Sequence, residues 1–196
     1  HTAYRRQRQM CIRDRDKGSV KFVVYREMDL KMFELFARYN VWSTQKLNRV
    51  LKNVSDEDFN AQCGLFFKSI SGTLNHLLVG EHYLWFPRFS SKPSSTLKLN
   101  TIVERDKDKL MFELESRAYN WIDLLKHVDV EKFGHDLQYK TSAGQEMSLP
   151  YAATLLHVFN HGTHHRGQVT AALTSMGYPC PEIDMVYMLI EENLPV

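Results

Sequence analysis

The sequence predicts an all-α protein: a bundle of about four long helices, with a short β-hairpin before the last and a short helix after it. Three observations carry this. Apolar residues recur every three to four positions over long stretches, the signature of helices with one buried face. The connections between those stretches are modest and rich in Ser, Pro, Asn and Gly, as bundle loops are. One segment alone, "DLQYKTSAGQEMSLP", alternates polar and apolar residues about a turn, as a hairpin does.

The opening "HTAYRRQRQMCIRDR" shares no periodicity with the rest of the chain. "MCIRDR" reads as the translation of a transposon-end sequencing tag. Residues 1–27 are therefore expected to be a non-native or disordered extension, with the domain spanning 28–196. "VKFVVY" at 20–25 has the composition of a short strand. Helical spacing is clear from Asp29 to Lys52, through Leu30, Phe33, Phe36, Tyr39, Trp42, Leu47 and Leu51. In "NVSDEDFN", Ser55 is placed to cap a short helical turn. A second helix is expected from Ser69 to Phe86, limited by Pro87. A third is expected from Ile102 to Lys126, with Leu110, Leu114, Tyr119, Trp121, Leu124 and Leu125 inward. The fourth should begin near Pro150, with Ser148 as a candidate cap, and stop at Gly177. "PEIDMVYMLIEEN" makes the closing helix.

Composition narrows the function. The 196 residues hold 25 basic and 23 acidic side chains. Part of the small excess lies in the first fifteen positions, so no nucleic-acid surface is expected. No apolar run reaches the ~20 residues that span a bilayer, so no membrane partner is expected. Cys11, Cys63 and Cys180 are scattered and without a CxxC pair, which fits a reducing cytoplasm. Phosphate-loop and dinucleotide-loop glycine patterns are absent, as are GxSxG and HExxH.

The histidines are concentrated instead. "HVFNHGTHHRGQ", 157–168, holds four of the nine. Residues four apart on a helix lie about 40° apart around its axis, so His157, His161 and His165 form one stripe. Two imidazoles at this spacing can share an ion, and a third ligand must come from a facing helix. His76 in "GTLNHLLVGEHYLW" is the best placed. Spacing alone leaves the 157/161 and 161/165 pairs open. His157 and His164 also suit a supporting or surface role, and His82, His127 and His135 read as solvated. Trp42 and Trp85 read as core residues rather than a stacking platform.

Three segments resemble the DinB family: "ARYNVWSTQKL", "GTLNHLLVGEHYLW" and "LLHVFNHGTHHRGQV", in the family's order and spacing, covering about residues 29–174. The resemblance implies an up-down-down-up four-helix bundle, often a homodimer. It also implies a divalent metal, zinc or nickel, held by His76, His161 and His165. His157 and Glu81 are candidates to support or close that site, and Arg166 and Gln168 to orient an incoming group, with pairing to an acidic neighbour on another helix the alternative for Arg166. Better understood relatives are metal-dependent transferases or isomerases that use a low-molecular-weight thiol, whereas many members have no established reaction. The expectation is thus a small-molecule enzyme that activates a thiol toward an electrophile. A metal-dependent hydrolase, a non-catalytic metal-binding stress protein and a helical interaction module are the alternatives. Three neutral ligands leave the ion's charge uncompensated and a position open, the pattern of catalytic rather than structural zinc.

Overall fold

A computed structural model describes residues 18–193 apart from Ser142, with side chains described from Asp29 onward. The tag-like segment 1–17 lies outside the described residues. Among the described residues the chain is mostly helical, with one short antiparallel hairpin. Among the described residues, no helix is long and apolar enough to cross a membrane.

Helix α1, Gly18–Leu51, begins well upstream of the expected start. Residues 20–25 are helical, which corrects the strand expectation. Valine-rich composition favours a strand only where a sheet surface exists to pack on. Extending a helix that is already nucleated gains one hydrogen bond per residue fixed.

Ser55 caps α2, Asp56–Asn60, accepting from the Asp58 N–H, and Ser69 caps α3, Ile70–Leu77, accepting from the Gly72 N–H. Helix α3 runs on into a π-helical segment, Leu78–Trp85, and then into α4, Phe86–Phe89. Pro87 therefore does not stop the helix. The Tyr83 carbonyl, four residues before the proline, instead accepts from the Ser95 N–H at 3.0 Å, so the missing donor leaves no orphan.

Helix α5, Lys107–Lys126, starts five residues after the expected Ile102, at the point where Asp106 supplies a side-chain cap. Its inward stripe is Leu110, Leu114, Ala118, Trp121 and Leu125. Two residues that the spacing places inward depart from it. Tyr119, one position round from the stripe, is exposed and its hydroxyl accepts from Gln45, while Leu124 is half-buried.

After a 3₁₀ turn at Val130–Gly134 come strands β1, Asp136–Lys140, and β2, Glu146–Pro150. They pair antiparallel, with Asp136 opposite Pro150 and Lys140 opposite Glu146. Ser148 belongs to β2 and bonds Asp136 and Gln138. It is not the cap of α6, Tyr151–Ser175, whose first turn has no capping side chain. The other end of α6 closes in a Schellman motif: Gly177 at φ +81° bonds Thr174, and Tyr178 bonds Leu173. Helix α7, Met185–Asn193, returns to α1 through Arg38–Glu192 and Lys46–Glu191 ion pairs.

The core has two apolar clusters. One gathers Leu47, Leu74, Leu78, Leu114 and Leu173; the other gathers Phe33, Phe89, Trp121, Leu155 and Phe159. Along α1, the α3–α4 helix and α6, the buried polar side chains fall between them: Asn40 and Thr44, Glu81 and His82, His165 and Arg166. A polar layer thus crosses the middle of the core. Burying such groups is tolerable only when they satisfy one another or a ligand.

Candidate metal centre

His76 sits on α3, just before the helix widens, and is buried. His161 and His165 lie on α6, one turn apart. The helices bring the ring nitrogens of these three within 4.8 Å of one another. The Nε2 atoms of His76 and His161 are 2.9 Å apart, and the His161 and His165 rings are 4.5 Å apart.

The other ring nitrogens show which atoms are available. His76 Nδ1 lies 2.9 Å from the Leu99 carbonyl, which can only accept, so Nδ1 carries the proton and Nε2 presents a lone pair. His165 Nδ1 lies 2.7 Å from Gln168 Oε1, and the same argument frees its Nε2. Such outer hydrogen bonds fix the tautomer and orientation of metal-ligating histidines. His161 Nδ1 is buried with no partner among the described residues. Gly80, in the π segment, lies beside this ring: a Cβ there would stand in ordinary contact, 3.4 Å from His161 Cε1.

All three imidazoles are held neutral. Burial pushes His161 down to about 3, helped by the charges that His165 and His76 would carry. Burial pushes His165 down to about 4 against the raising effect of the Gln168 bond. Burial also lowers His76, against the Leu99 bond. Two nitrogens bound at ~2.0–2.1 Å to one ion stand about 2.9–3.4 Å apart for angles between 90° and tetrahedral. The 2.9 Å approach of His76 to His161 fits that span. Neutral, mutually facing nitrogens, with those of His76 and His165 presenting lone pairs, are a donor set suited to a borderline divalent cation.

The remaining candidates lie around this centre. Exposed His157 stands 5.7 Å from His161, ring to ring, and packs edge-on to Trp85. Gln168 bridges His165 and exposed His164. Arg166 points into the polar layer, where it donates to Asn40 Oδ1 at 2.5 Å. Glu81 accepts from Asn40 Nδ2 at 3.3 Å and lies outside the histidine cluster. Its carboxyl is raised to about 7 by burial, against the Arg166 charge and the Asn40 bond.

His82 corrects the solvated reading. It is buried, and burial, with Arg117 and Arg166 nearby, pushes it down to about 3. The solvated reading rests on the lack of a histidine partner one turn away, yet His82 follows buried Leu74 and Leu78 at four-residue spacing, and the π segment turns nearly every residue from Leu78 to Leu84 inward. His127 and His135 are exposed, as expected.

Three contributors carried no sequence signal of their own. Phe67 stacks on His76 at 3.8 Å and meets His165 edge-on. Leu99 contributes only its carbonyl. Gly80 contributes only backbone beside the His161 ring.

Residues 28–193 match the DinB family. The chain is also 31% identical over 156 residues to Protein DinB of Bacillus subtilis (strain 168), covering 78% of this chain and 90% of that protein.

Proposed function

This chain belongs to the DinB family, and from that premise we propose that it is a metal-dependent enzyme in which His76, His161 and His165 hold one divalent ion. The long helices are read as the family's up-down-down-up four-helix bundle. The observation that carries the proposal is the convergence of three neutral imidazoles, two with their outer nitrogen hydrogen-bonded away from the cluster.

When bound, the ion would supply a positive charge able to hold a thiol as its thiolate. The chain's own residues do the rest. Leu99 and Gln168 keep two rings aimed, and Phe67 covers one side of the cluster. The reaction assigned here joins the sulfur of a low-molecular-weight thiol to an electrophilic carbon: the S–H bond breaks with its proton released to solvent, and the carbon's leaving group departs with the electron pair of the bond that the sulfur replaces. Exposed apolar residues of α7, Val186, Tyr187 and Ile190, suit a homodimer contact. Light scattering should then give twice the 23.0 kDa chain mass.

The test uses protein purified without a histidine tag. Elemental analysis should find one divalent ion per chain, and His161→Ala should weaken binding strongly. Full occupancy after replacing His76, His161 and His165 together would remove the site assignment. In cobalt-loaded protein, a small thiol should add a sulfur charge-transfer band in the near ultraviolet. If several thiols leave the spectrum unchanged, thiol activation is wrong and hydrolysis becomes the reaction to assay.

A further inference from the structure

A sizeable cavity among the described residues lies away from the histidines. It is an open cleft of about 700 Å³ between the loop at 90–96 and strand β1, closed at one end by the start of α6. Its wall residue Tyr151 precedes His161 by ten positions on α6, about 15 Å at 1.5 Å per residue. The cleft and the histidine cluster are therefore separate places. The volume is that of a site for a small molecule.

Its charged groups are mainly basic. Arg88, Lys92 and Lys132 line it, and none of the three makes an ion pair among the described residues. Lys140, also in the wall, is paired with Glu146 at 3.4 Å. The single lining acid, Asp136, accepts a hydrogen bond from Ser148.

The Arg88 guanidinium carbon lies 4.6 Å from the centre of the Trp85 ring and 4.5 Å from that of Tyr139. Stacking on aromatic rings engages the faces of a guanidinium and leaves the in-plane edge, the direction in which it binds an oxyanion bidentately. Its Nε is buried with no hydrogen-bond partner among the described residues. The Tyr151 hydroxyl, on a residue only 4% exposed, is likewise without a partner. Two buried donors left unmade in one cleft are costly unless something accepts from them. Helix α6 begins at Tyr151 with neither a capping side chain nor an acid in its first turn, so its positive end adds to the field. Phe89, Leu137 and the Tyr139 ring give the cleft an apolar side, while Ser94, His135 and Gln138 are among the residues that make the rest of its lining polar.

We propose that this cleft binds a small anionic molecule, one carrying a carboxylate or phosphate group on a planar apolar body. Arg88 takes the anion along its edge, Tyr151 donates to one of its oxygens, and Lys132 supplies charge at the rim. The ring-lined wall takes the apolar body. This assignment stands independently of the metal reading.

The experiment is amide-resolved NMR titration of the full-length chain with phenyl phosphate and benzoate, and with benzylamine as the cation of matching shape. Saturable shifts confined to residues 88–96, 132–141 and 151, absent with benzylamine, are expected. Lys132→Glu changes an exposed side chain outside the core, leaves the fold intact and should weaken phenyl phosphate several-fold. Arg88→Gln should weaken it about tenfold or more, as loss of a bidentate charged contact does. His161→Ala should leave the dissociation constant unchanged. Benzylamine binding as tight as phenyl phosphate, shifts centred on the histidine cluster, or a Lys132→Glu affinity equal to wild type would each overturn the proposal.

Discussion

The three ring nitrogens of His76, His161 and His165 are kept unprotonated by burial, and this gives the metal-free protein a definite response to acid. In the unfolded chain each histidine takes up a proton near 6.5. In the folded chain His161 and His82 do so only near 3, and His165 near 4. Between those values the unfolded chain binds more protons, so stability falls as pH drops through the window from about 6.5 to 4. Glu81 works in the opposite direction between 4.5 and about 7, where its folded form holds the extra proton, but it is one group against three. Urea unfolding of chelator-treated protein at pH 7, 6 and 5 should show this decline, and a flat profile would contradict it. At Gly162 the restriction is steric. A Cβ there would collide with Glu81 Oε1 and stand 3.0 Å from Arg166 Nη1. Gly162→Ala must displace a buried carboxylate or guanidinium, so it should destabilise by about 1–3 kcal/mol, measurable in the same denaturant series.

Two devices act at the scale of elements. The first is the π segment, which turns Gly80, Glu81 and His82 into the core. Wide turns of this kind recur at functional sites, and here one positions the glycine against which His161 packs. The second is the link between α3 and the loop before α5. Asn75 is fully buried. Its amide donates to the Ser71 and Glu104 carbonyls, and its oxygen accepts from the Val103 and Glu104 N–H groups. The next residue, His76, is held by Leu99 of that same loop. Asn75→Ala should cost about 2–3 kcal/mol by leaving buried groups unpaired. By releasing the loop it should also lower metal affinity roughly tenfold, as loss of outer-sphere support does elsewhere. Competition with a chromophoric chelator would check the second effect, and unchanged affinity in a destabilised variant would show that the loop does not orient His76.

On the scale of the whole molecule, two apolar clusters enclose a layer of buried polar groups contributed by three of the packed helices. Partly satisfied buried charges are weak evidence of stability but can specify register: a helix that slid by one turn would set Glu81 or Arg166 against leucine. The described core on α1 begins at Phe33, and the family match begins at residue 28. A chain starting at Met28 should therefore keep its melting temperature and its metal content. A loss of several degrees by calorimetry would show that the upstream turns of α1 contribute to the fold.

The helices, their order, the hairpin about "SAG" and the two close histidines of α6 were legible in the sequence, because each rests on local periodicity, turn chemistry or i, i+4 spacing. The choice of His161 and His165 over the 157/161 pair needed the family resemblance, since spacing treats both pairs alike. What only the tertiary structure decided is every feature that depends on contacts distant in sequence or on departure from regular geometry. Pro87 sits within a continuing helix because Ser95 supplies the missing bond. His82 is buried in a π segment whose residues nearly all turn inward. Arg166 turns from the histidines to Asn40, 126 positions away. Periodicity reports which face of an ideal helix is apolar; it carries no information about which remote carbonyl, ring or amide will meet that face once the helices pack.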